Sequence, residues 1–587
     1  MILTSPVKEE RMSRTVVIIG AVAAGPKAAS RLKRLQPNWN ILMIDEDSLI
    51  SYGGCGIPYY VSGDVSDESE LRSTSFHVIR DAAFFQHAKG VEVRTRTRAL
   101  AIDRSQKKVR VQYLETGQEE DLSYDSLILA TGARPFELPI PGAGLDGVFT
   151  VSNLHKAIEI RKRIASGKVS KAVVIGGGAI GIEMAEALTD LWGVETSLIE
   201  LEDRLLPGIM DWPFAAMLKQ YLEEQNVHIY TAESALSIID DGNGRVAGIK
   251  TNMRTLDADL VIMAVGVRPR SELARAAGLD VTGWGAIKVN QRLQTSDPNI
   301  YAAGDCIACT SLITRKETYA PLGSLANRQG RIAADNIAGQ PAVFKGVCSS
   351  FIMKAFDRCI AATGISYEAA LFEGFDADYA LTSPSDRAHF FPNQAVVILQ
   401  LVFDRKSRRI LGLQAFGMMN DSISARVDAA AGLIAKGGTI EDFATLEMAY
   451  APPFSAAIDS INAAAYVAEN MCDNRLRRVD LNRFLRWAEN VESEPNWLAV
   501  DLRHPQEASP MVERFGAARW TSCPYERVRE LHTELSEDKT CILICNAGTR
   551  SYEIQVFLDS IGKKNTLVLC GGLNVISRLG LSWFQMK

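Results

Sequence analysis

The chain has 587 residues, of which 47% are hydrophobic and 23% charged, and a formal net charge of −6. This is the composition of an ordinary globular protein of about two to four domains. It offers no electrostatic case for nucleic-acid binding, and no uncharged apolar run reaches the roughly 18 residues that a membrane span needs.

Met1 to Arg14 is polar and charged and lacks the apolar core of a signal peptide, so a short disordered extension is expected, with Met12 as an alternative start. Ten cysteines without a dense framework suit a reducing cytosol and predict a cytoplasmic location.

Thr15 to Ile19 reads as an apolar strand. The turn Gly20-Ala-Val-Ala-Ala-Gly25 follows, then an alanine-rich helix to about Leu35 and a second strand, Ile41 to Asp45. This is a dinucleotide fingerprint with Val22 in place of its middle glycine. Gly20 makes the tight turn, Gly25 lets helix and strand pack closely, and the helix N-terminus, reached through Ala23, faces a pyrophosphate. Asp45 stands where a carboxylate accepts from ribose hydroxyls, with Glu46 as the alternative.

The stretch Ser51-Tyr-Gly-Gly-Cys55-Gly-Ile-Pro-Tyr-Tyr60 then places one cysteine among glycines. Small residues let a cofactor ring lie against the backbone. Five positions on, where a dithiol enzyme on this scaffold has its second cysteine, stands Tyr60. Cys55 is therefore expected to work alone, through a mixed disulfide, a persulfide or a sulfenic acid.

Leu127 to Ala130 is a strand running into Thr131-Gly132. A second and complete fingerprint follows: strand Lys171 to Ile175, turn Gly176-Gly-Gly178-Ala-Ile-Gly181, helix, and strand Thr196 to Glu200. Glu200 is placed to bind a ribose diol and to repel a 2′-phosphate, which favours NADH over NADPH, against which stands the nearby Arg204. Leu260 to Gly266 and Asn299 to Asp305 are further strand ends, the latter closing on a carboxylate suited to a flavin ribityl chain. Cys306-Ile-Ala-Cys309 has CxxC spacing without a second pair, and reads as structural or incidental.

Phe351 to Phe356 and Ala395 to Phe403 read as buried strands, and Ala425 to Lys436 as an amphipathic helix. Asn470 to Asn482 is charged and lacks an apolar period, as a linker would. In the last hundred residues, strand Trp497 to Asp501 precedes a polar turn with Arg503. Strand Cys541 to Cys545 leads through Asn-Ala-Gly-Thr-Arg550-Ser551 into a helix. Such a loop curls its N–H groups around the sulfur, and with the helix dipole and Arg550 it favours a thiolate.

From Arg14 to about Ala465 the chain resembles the two-dinucleotide flavoprotein disulfide reductases, and within them the single-cysteine branch of coenzyme A-disulfide reductases, NADH-dependent persulfide reductases and NADH oxidases. Both fingerprints, Cys55 before Gly-Ile-Pro-Tyr-Tyr, Ala130-Thr-Gly132, Ala303-Gly-Asp305 and Tyr450-Ala-Pro-Pro-Phe-Ser455 carry the likeness. It implies FAD in the first domain, NADH in the second, and a homodimer built on a third. The residues expected around the cofactors are Gly20, Ala23, Gly25, Asp45, Glu46, Thr131, Gly132, Gly176, Gly178, Gly181, Glu200, Gly266 and Asp305.

Within the branch, oxidases and peroxidases carry a histidine where this chain has Ala23, so oxygen reduction is expected only as a side activity. The coenzyme A contacts carry over to Ser51, Arg34 and Lys89, with Arg31 adding to the basic helix face. Two departures stand out. Gly54 replaces the usual asparagine before the cysteine. Of two tyrosines that the interface domain offers in trans, Tyr450 is kept, while His389-Phe390-Phe391-Pro392 stands where a Tyr-Tyr-Pro segment is expected.

The last hundred residues resemble the rhodanese sulfurtransferases, whose cysteine carries a persulfide. Asp501-Leu-Arg503 and Leu567-Val-Leu-Cys-Gly571-Gly572 fit, whereas Arg514-Phe-Gly-Ala517 replaces the usual Gly-His-Ile segment.

The expected fold is α/β. An FAD-binding Rossmann-like domain (14–150 and 285–340) is followed by an NADH-binding one (151–284), an α+β dimerisation domain (341–465), a linker (466–490) and a rhodanese-like α/β domain (491–587). The expected activity is reduction of a persulfide, polysulfide or coenzyme A disulfide at Cys55, with Tyr450 assisting and Cys545 and Arg550 relaying sulfur, and coenzyme A as substrate or carrier. Three alternatives remain open: coenzyme A-disulfide reduction without sulfane specificity, NADH oxidation, and sulfur delivery to a biosynthetic acceptor.

Overall fold

The computed structural model describes residues 13–151, 153–490 and 494–584. The proposed extension with its alternative start at Met12 lies outside the described residues but for Ser13 and Arg14. The chain divides into two compact units. One is built from the chain up to Leu201, Glu233–Ser311 and Arg315–Val347. The other is built from Glu202–Ala232, Leu312–Thr314 and the chain from Cys348 on.

The first unit opens with β1 (Thr15–Ile19), α1 (Ala24–Leu35), β2 (Asn40–Ile44), the short helix α2 (Ile57–Ser62), β3 (Glu92–Arg94), β4 (Ser126–Leu129) and β5 (Val148–Thr150). It continues with α3 (Leu154–Ala165), β6 (Lys171–Ile175), α4 (Ala179–Thr189) and β7 (Glu195–Ile199). The helix α5 (Trp212–Glu224) groups with the second unit, after which β8 (Leu260–Met263), β9 (Ile300–Ala302) and α6 (Gly323–Ile337) complete the first. Two parallel sheets result. One runs β9-β4-β1-β2-β3, and the other has β7, β6, β8 and β5 side by side.

These strands are near-continuous runs of Val, Ile and Leu because both faces of a parallel sheet are covered by crossover helices. Val16, Val17 and Ile18 are fully buried, as are Val173 and Val174 in the equivalent strand. In both fingerprints the last glycine is obligatory for packing. A Cβ on Gly25 would lie 1.9 Å from the carbonyl oxygen of Gly20, and one on Gly181 at 1.9 Å from that of Gly176.

The second unit holds an antiparallel sheet, β10 (Phe351–Ala355), β11 (Arg358–Gly364), β12 (Ala377–Thr382), β13 (Ile398–Asp404) and β14 (Ile410–Met418), in the order β10-β11-β14-β13-β12. Helices α7 (Asp421–Ile434) and α8 (Ser460–Cys472) pack on it. The α5 segment joins this sheet through a buried carboxylate: Asp211 accepts from the side chains of Gln400 (2.5 Å) and Gln414 (2.7 Å) and from the Tyr367 N–H (2.9 Å).

Residues 466–490, expected as a linker, are ordered and packed. They contain the end of α8 and the whole of α9 (Leu481–Ala488), which buries Leu481, Phe484, Leu485 and Trp487. Arg477 between them forms a bidentate ion pair with Asp559 (2.7 and 2.8 Å). Val479 donates to Val568, and Val568 to Arg477. This segment thus adds backbone pairing to the edge of the last sheet, which the absence of an apolar period in 470–482 concealed.

That last sheet is parallel and four-stranded, with β15 (Trp497–Asp501), β16 (Trp520–Ser522), β17 (Thr540–Ile544) and β18 (Thr566–Val568) in the order β16-β15-β17-β18. Helix α10 (Thr549–Ser560) follows β17.

Candidate active site

Cys55 lies in a single 3₁₀ turn, Gly54–Gly56, at the head of α2, and is exposed. Gly53 donates to Leu71 O at 2.9 Å and Ser51 to Ala21 O at 2.7 Å, so the cysteine loop is tied back to the first fingerprint. Ser51 takes φ +51°, a left-handed conformation that a serine holds only where its surroundings impose it.

The sulfur meets the start of α6. A Cβ on Gly323 would lie 3.5 Å from Cys55 Sγ, and the Gly323 N–H stabilises the thiolate. A helix N-terminus offers unpaired N–H groups and a positive dipole end, which suits a sulfur anion. Although the residue is exposed, partial desolvation of its sulfur raises the Cys55 thiol above its ordinary value, and the charges of Glu183 and, less strongly, Asp305 push the same way. Glu183, on α4, is itself pushed up to about 7 by burial and by Glu186 beside it.

Helix α2 has only six residues and would not hold alone. Its C-terminal carbonyls, orphaned in any helix, are taken up by the second nucleotide module. Arg161 on α3 donates to Tyr60 O (2.9 Å) and Val65 O (2.8 Å) and stacks on the Tyr60 ring at 4.5 Å. Trp192 donates its indole N–H to Val61 O at 2.7 Å. Neither residue belongs to a motif, and nothing in the sequence singles them out.

The two fingerprints form matching cradles. Asp45 accepts the Ala21 N–H at 2.7 Å, and Glu200 the Gly177 N–H at 2.5 Å. Glu46 is engaged elsewhere: its carboxylate pairs with Arg98 (3.0 Å) and Arg270 (2.9 Å), which leaves Asp45 as the acid of the first loop. Open space adjoins Gly178, Gly132 (φ +69°) and Gly266 (φ +96°), where an added Cβ would meet nothing within 4 Å. Thr131 is fixed by donating to Arg270 O at 2.6 Å. Burial lifts Asp305 to about 6. Open glycine turns at strand ends, each beside a carboxylate, fit two dinucleotides. Arg204 is committed to Asp203 and Glu368 (2.8 and 2.7 Å).

Of the cations expected to meet coenzyme A, Arg31 is paired with Asp335 at 2.5 Å, Lys89 sits 5.2 Å over the Phe84 ring, and Arg34 is exposed on α1.

In the second unit, Tyr450 is half exposed on the loop before α8. That loop is pinned by Asn462, which donates to Phe443 O (2.9 Å) and Leu446 O (3.0 Å), and by Ser455, which donates to Ala449 O (3.1 Å). Phe390 is exposed on a neighbouring turn, where Ala388 donates to Pro452 O.

Cys545 follows β17 directly and is buried. Gly548, at φ +94°, donates its N–H to the sulfur at 3.0 Å. Asp501 and Arg503 form a buried bidentate pair, with Trp520 donating to the same carboxylate at 3.1 Å. Arg550 is half-buried in the first turn of α10.

Two nucleotide cradles with an exposed cysteine against a helix N-terminus define an oxidoreductase that passes electrons between a nicotinamide and a sulfur. The chain belongs to the pyridine nucleotide-disulphide oxidoreductase family. Residues 14–330 match the profile of that name and residues 352–461 that of its dimerisation domain.

A relative from Pyrococcus horikoshii, an NAD(P)H coenzyme A polysulfide/persulfide reductase, is 35% identical over 78% of this chain and 99% of its own. The solved NAD-dependent persulfide reductase from A. fulgidus superposes with a TM-score of 0.89 at 35% identity, over 97% of this chain and all of that one. The reduced Bacillus anthracis CoADR-RHD gives the same score at 30% identity, over 97% and 98%. Both solved structures extend over the C-terminal α/β region.

Proposed function

We propose that the chain is a flavin-dependent NADH reductase of persulfides, polysulfides and coenzyme A disulfide, working through Cys55. The observation that carries this reading is the Cys55 sulfur against the Gly323 N–H, in a loop braced by both nucleotide modules. The first cradle, with Asp45, Thr131, Gly132 and Asp305, would hold FAD. The second, with Gly176, Gly178, Gly181, Glu200 and Gly266, would hold NADH. Arg34, Lys89, Ser51 and Arg31 are assigned to coenzyme A, Arg31 through its exposed edge.

The Cys55 thiolate attacks the outer sulfur of the substrate. One S–S bond breaks, a thiol leaves, and a new S–S bond forms on Cys55. Cleaving that bond takes two electrons, which nicotinamide and flavin supply when bound, and it returns the thiolate with sulfide or thiol released. The Gly323 N–H holds the negative charge at Sγ throughout.

The exposed Phe390, Tyr450, Phe454 and Ile458 suit coverage by a second copy of the chain, which supports a homodimer in which Tyr450 donates to the partner's leaving sulfur. The C-terminal region is read as a rhodanese-like domain whose Cys545, held by the Gly548 N–H, carries sulfane sulfur. A small carrier such as coenzyme A then brings sulfur to Cys55. A cytoplasmic location follows from the thiols this chemistry needs reduced.

The test is anaerobic NADH consumption with polysulfide, coenzyme A persulfide and coenzyme A disulfide, for wild type, Cys55→Ser and Cys545→Ser. Cys55→Ser is expected to lose turnover on all three. Full sulfide release by that variant overturns the reading, and wild-type behaviour of Cys545→Ser on every donor removes the relay.

A further inference from the structure

Strands β17 and β18 pair in parallel, with Cys541 opposite Thr566, Ile542 opposite Leu567 and Leu543 opposite Val568. Leu569 donates to Leu543 O at 3.1 Å, which carries the pairing beyond the last of these partners. Cys545 follows β17 directly, and Cys570 lies two residues past β18, in the turn that Gly572 closes by donating to Leu569 O at 3.1 Å.

The turns that follow the two strands stay in contact. Leu573 donates to Cys545 O (3.0 Å) and Asn574 to Asn546 O (2.9 Å). A Cβ on Gly548, whose N–H holds the Cys545 sulfur, would lie 3.7 Å from Cys570 Cα. The Cys570 turn is fixed from outside as well, since Ser383 donates to Gly571 O at 2.8 Å. Both thiols are free.

We propose that Cys570 is the resolving thiol of Cys545. Its sulfur attacks the inner sulfur of a Cys545 persulfide, and the bond to the outer sulfur breaks. That sulfur leaves with the Cys570 proton as hydrogen sulfide, and a Cys545–Cys570 disulfide remains. Two small-molecule thiols then reduce this disulfide by exchange and become a small disulfide themselves, which is the substrate class assigned above to Cys55. The inference rests on the reading of Cys545 as a sulfur carrier.

Burial keeps Cys570 protonated, at about 12, although Arg478 pulls it down; Asp378 holds Arg478 at 2.7 Å and the Tyr379 ring lies beneath it at 4.2 Å. The thiolate is the attacking form, so at rest the raised Cys570 thiol is inert toward outside electrophiles, and in the step it gives its proton to the departing outer sulfur as it attacks.

The experiment uses the full chain carrying Cys55→Ser, without oxygen, added thiol or NADH, and thiosulfate as sulfur donor. With Cys570 present, one equivalent of sulfide per chain and a Cys545–Cys570 linked peptide are expected. With Cys570→Ser or Cys570→Ala, no sulfide is expected, and the chain keeps one extra sulfur on Cys545. A second arm oxidises the untreated chain with one equivalent of diamide, which should link the same two cysteines.

Sulfide release that survives both Cys570 substitutions overturns the proposal, as does a diamide product without the Cys545–Cys570 link. Failure of thiosulfate to load Cys545 in any chain overturns the carrier reading and the proposal with it. A persistent adduct beside an intact Cys570 overturns the proposal alone.

Discussion

The Glu200 carboxylate accepts the Gly177 N–H at 2.5 Å, so the acid assigned to the ribose also holds the glycine turn of its own fingerprint. Asp45 and Ala21 repeat the arrangement in the first module at 2.7 Å. A hydrogen bond to a charged acceptor contributes about 1.5–3 kcal/mol. Glu200→Ala is therefore expected to raise KM for NADH by about 10- to 100-fold. It should also narrow the preference over NADPH, because the charge that repels a 2′-phosphate is gone. Steady-state kinetics with both nucleotides checks this, and an unchanged KM ratio contradicts it.

Glu183 adds to desolvation in raising the Cys55 thiol. The carboxyl is raised to about 7, so it is ionised across the range in which a thiol loses its proton. Its charge then adds to burial in holding Cys55 protonated. Glu183→Gln removes that charge and should shift the pH midpoint of Cys55 alkylation downward, with more thiolate at a given pH above 7. Iodoacetamide rates between pH 6 and 10, read at the Cys55 peptide, decide it. An upward shift or none refutes the coupling.

The nucleotide modules were legible in the sequence because a fingerprint is local: a strand, glycines forced by close approach, a helix and an acid. The cysteine loop was legible for the same reason. What braces it was not, since Arg161 and Trp192 lie far along the chain from Cys55 and carry no spacing signal, and neither does Glu183, whose charge acts on the thiol. Glu46 stayed open beside Asp45 on the sequence, and the ion pairs of Glu46 to Arg98 and Arg270, with the Asp45–Ala21 hydrogen bond, separate the two. The segment around Arg477 read as a linker because its partners, Asp559 and Val568, are supplied by tertiary pairing rather than by an apolar period. The approach of the Cys545 and Cys570 turns likewise exists only once β17 and β18 are paired.

Helix α2 depends on side chains from outside itself. Arg161→Ala removes a charged donor from Tyr60 O in its last turn and from Val65 O just beyond it, a loss of about 2 kcal/mol. Local opening of α2 should become about 30-fold more frequent. Hydrogen exchange of the amides of residues 57–65 reports this directly, and Trp192→Phe should give a smaller effect confined to the end of the helix. Unchanged protection in Arg161→Ala would show that α2 is held by apolar packing alone.

Arg426 and Asp459 form a buried bidentate pair, at 3.2 and 2.5 Å, with side chains only 6% and 3% exposed. Arg426 also donates to Ser422 O within α7, and Asp459 caps α8 by accepting the Ile461 N–H at 3.1 Å. The pair therefore locks α7 to the N-terminus of α8, which follows the Tyr450 loop. Removing one member leaves the other charged and without its partner in the interior, which costs about 3–5 kcal/mol. Asp459→Ala should lose more than Arg426→Ala, because the helix cap goes as well, a further loss of about 1 kcal/mol. Asp459→Asn keeps an acceptor for Ile461 and should fall between wild type and Asp459→Ala. Denaturant unfolding followed at the second unit's tryptophans gives the order, and equal stability of Asp459→Ala and Asp459→Asn would mean that the cap contributes nothing.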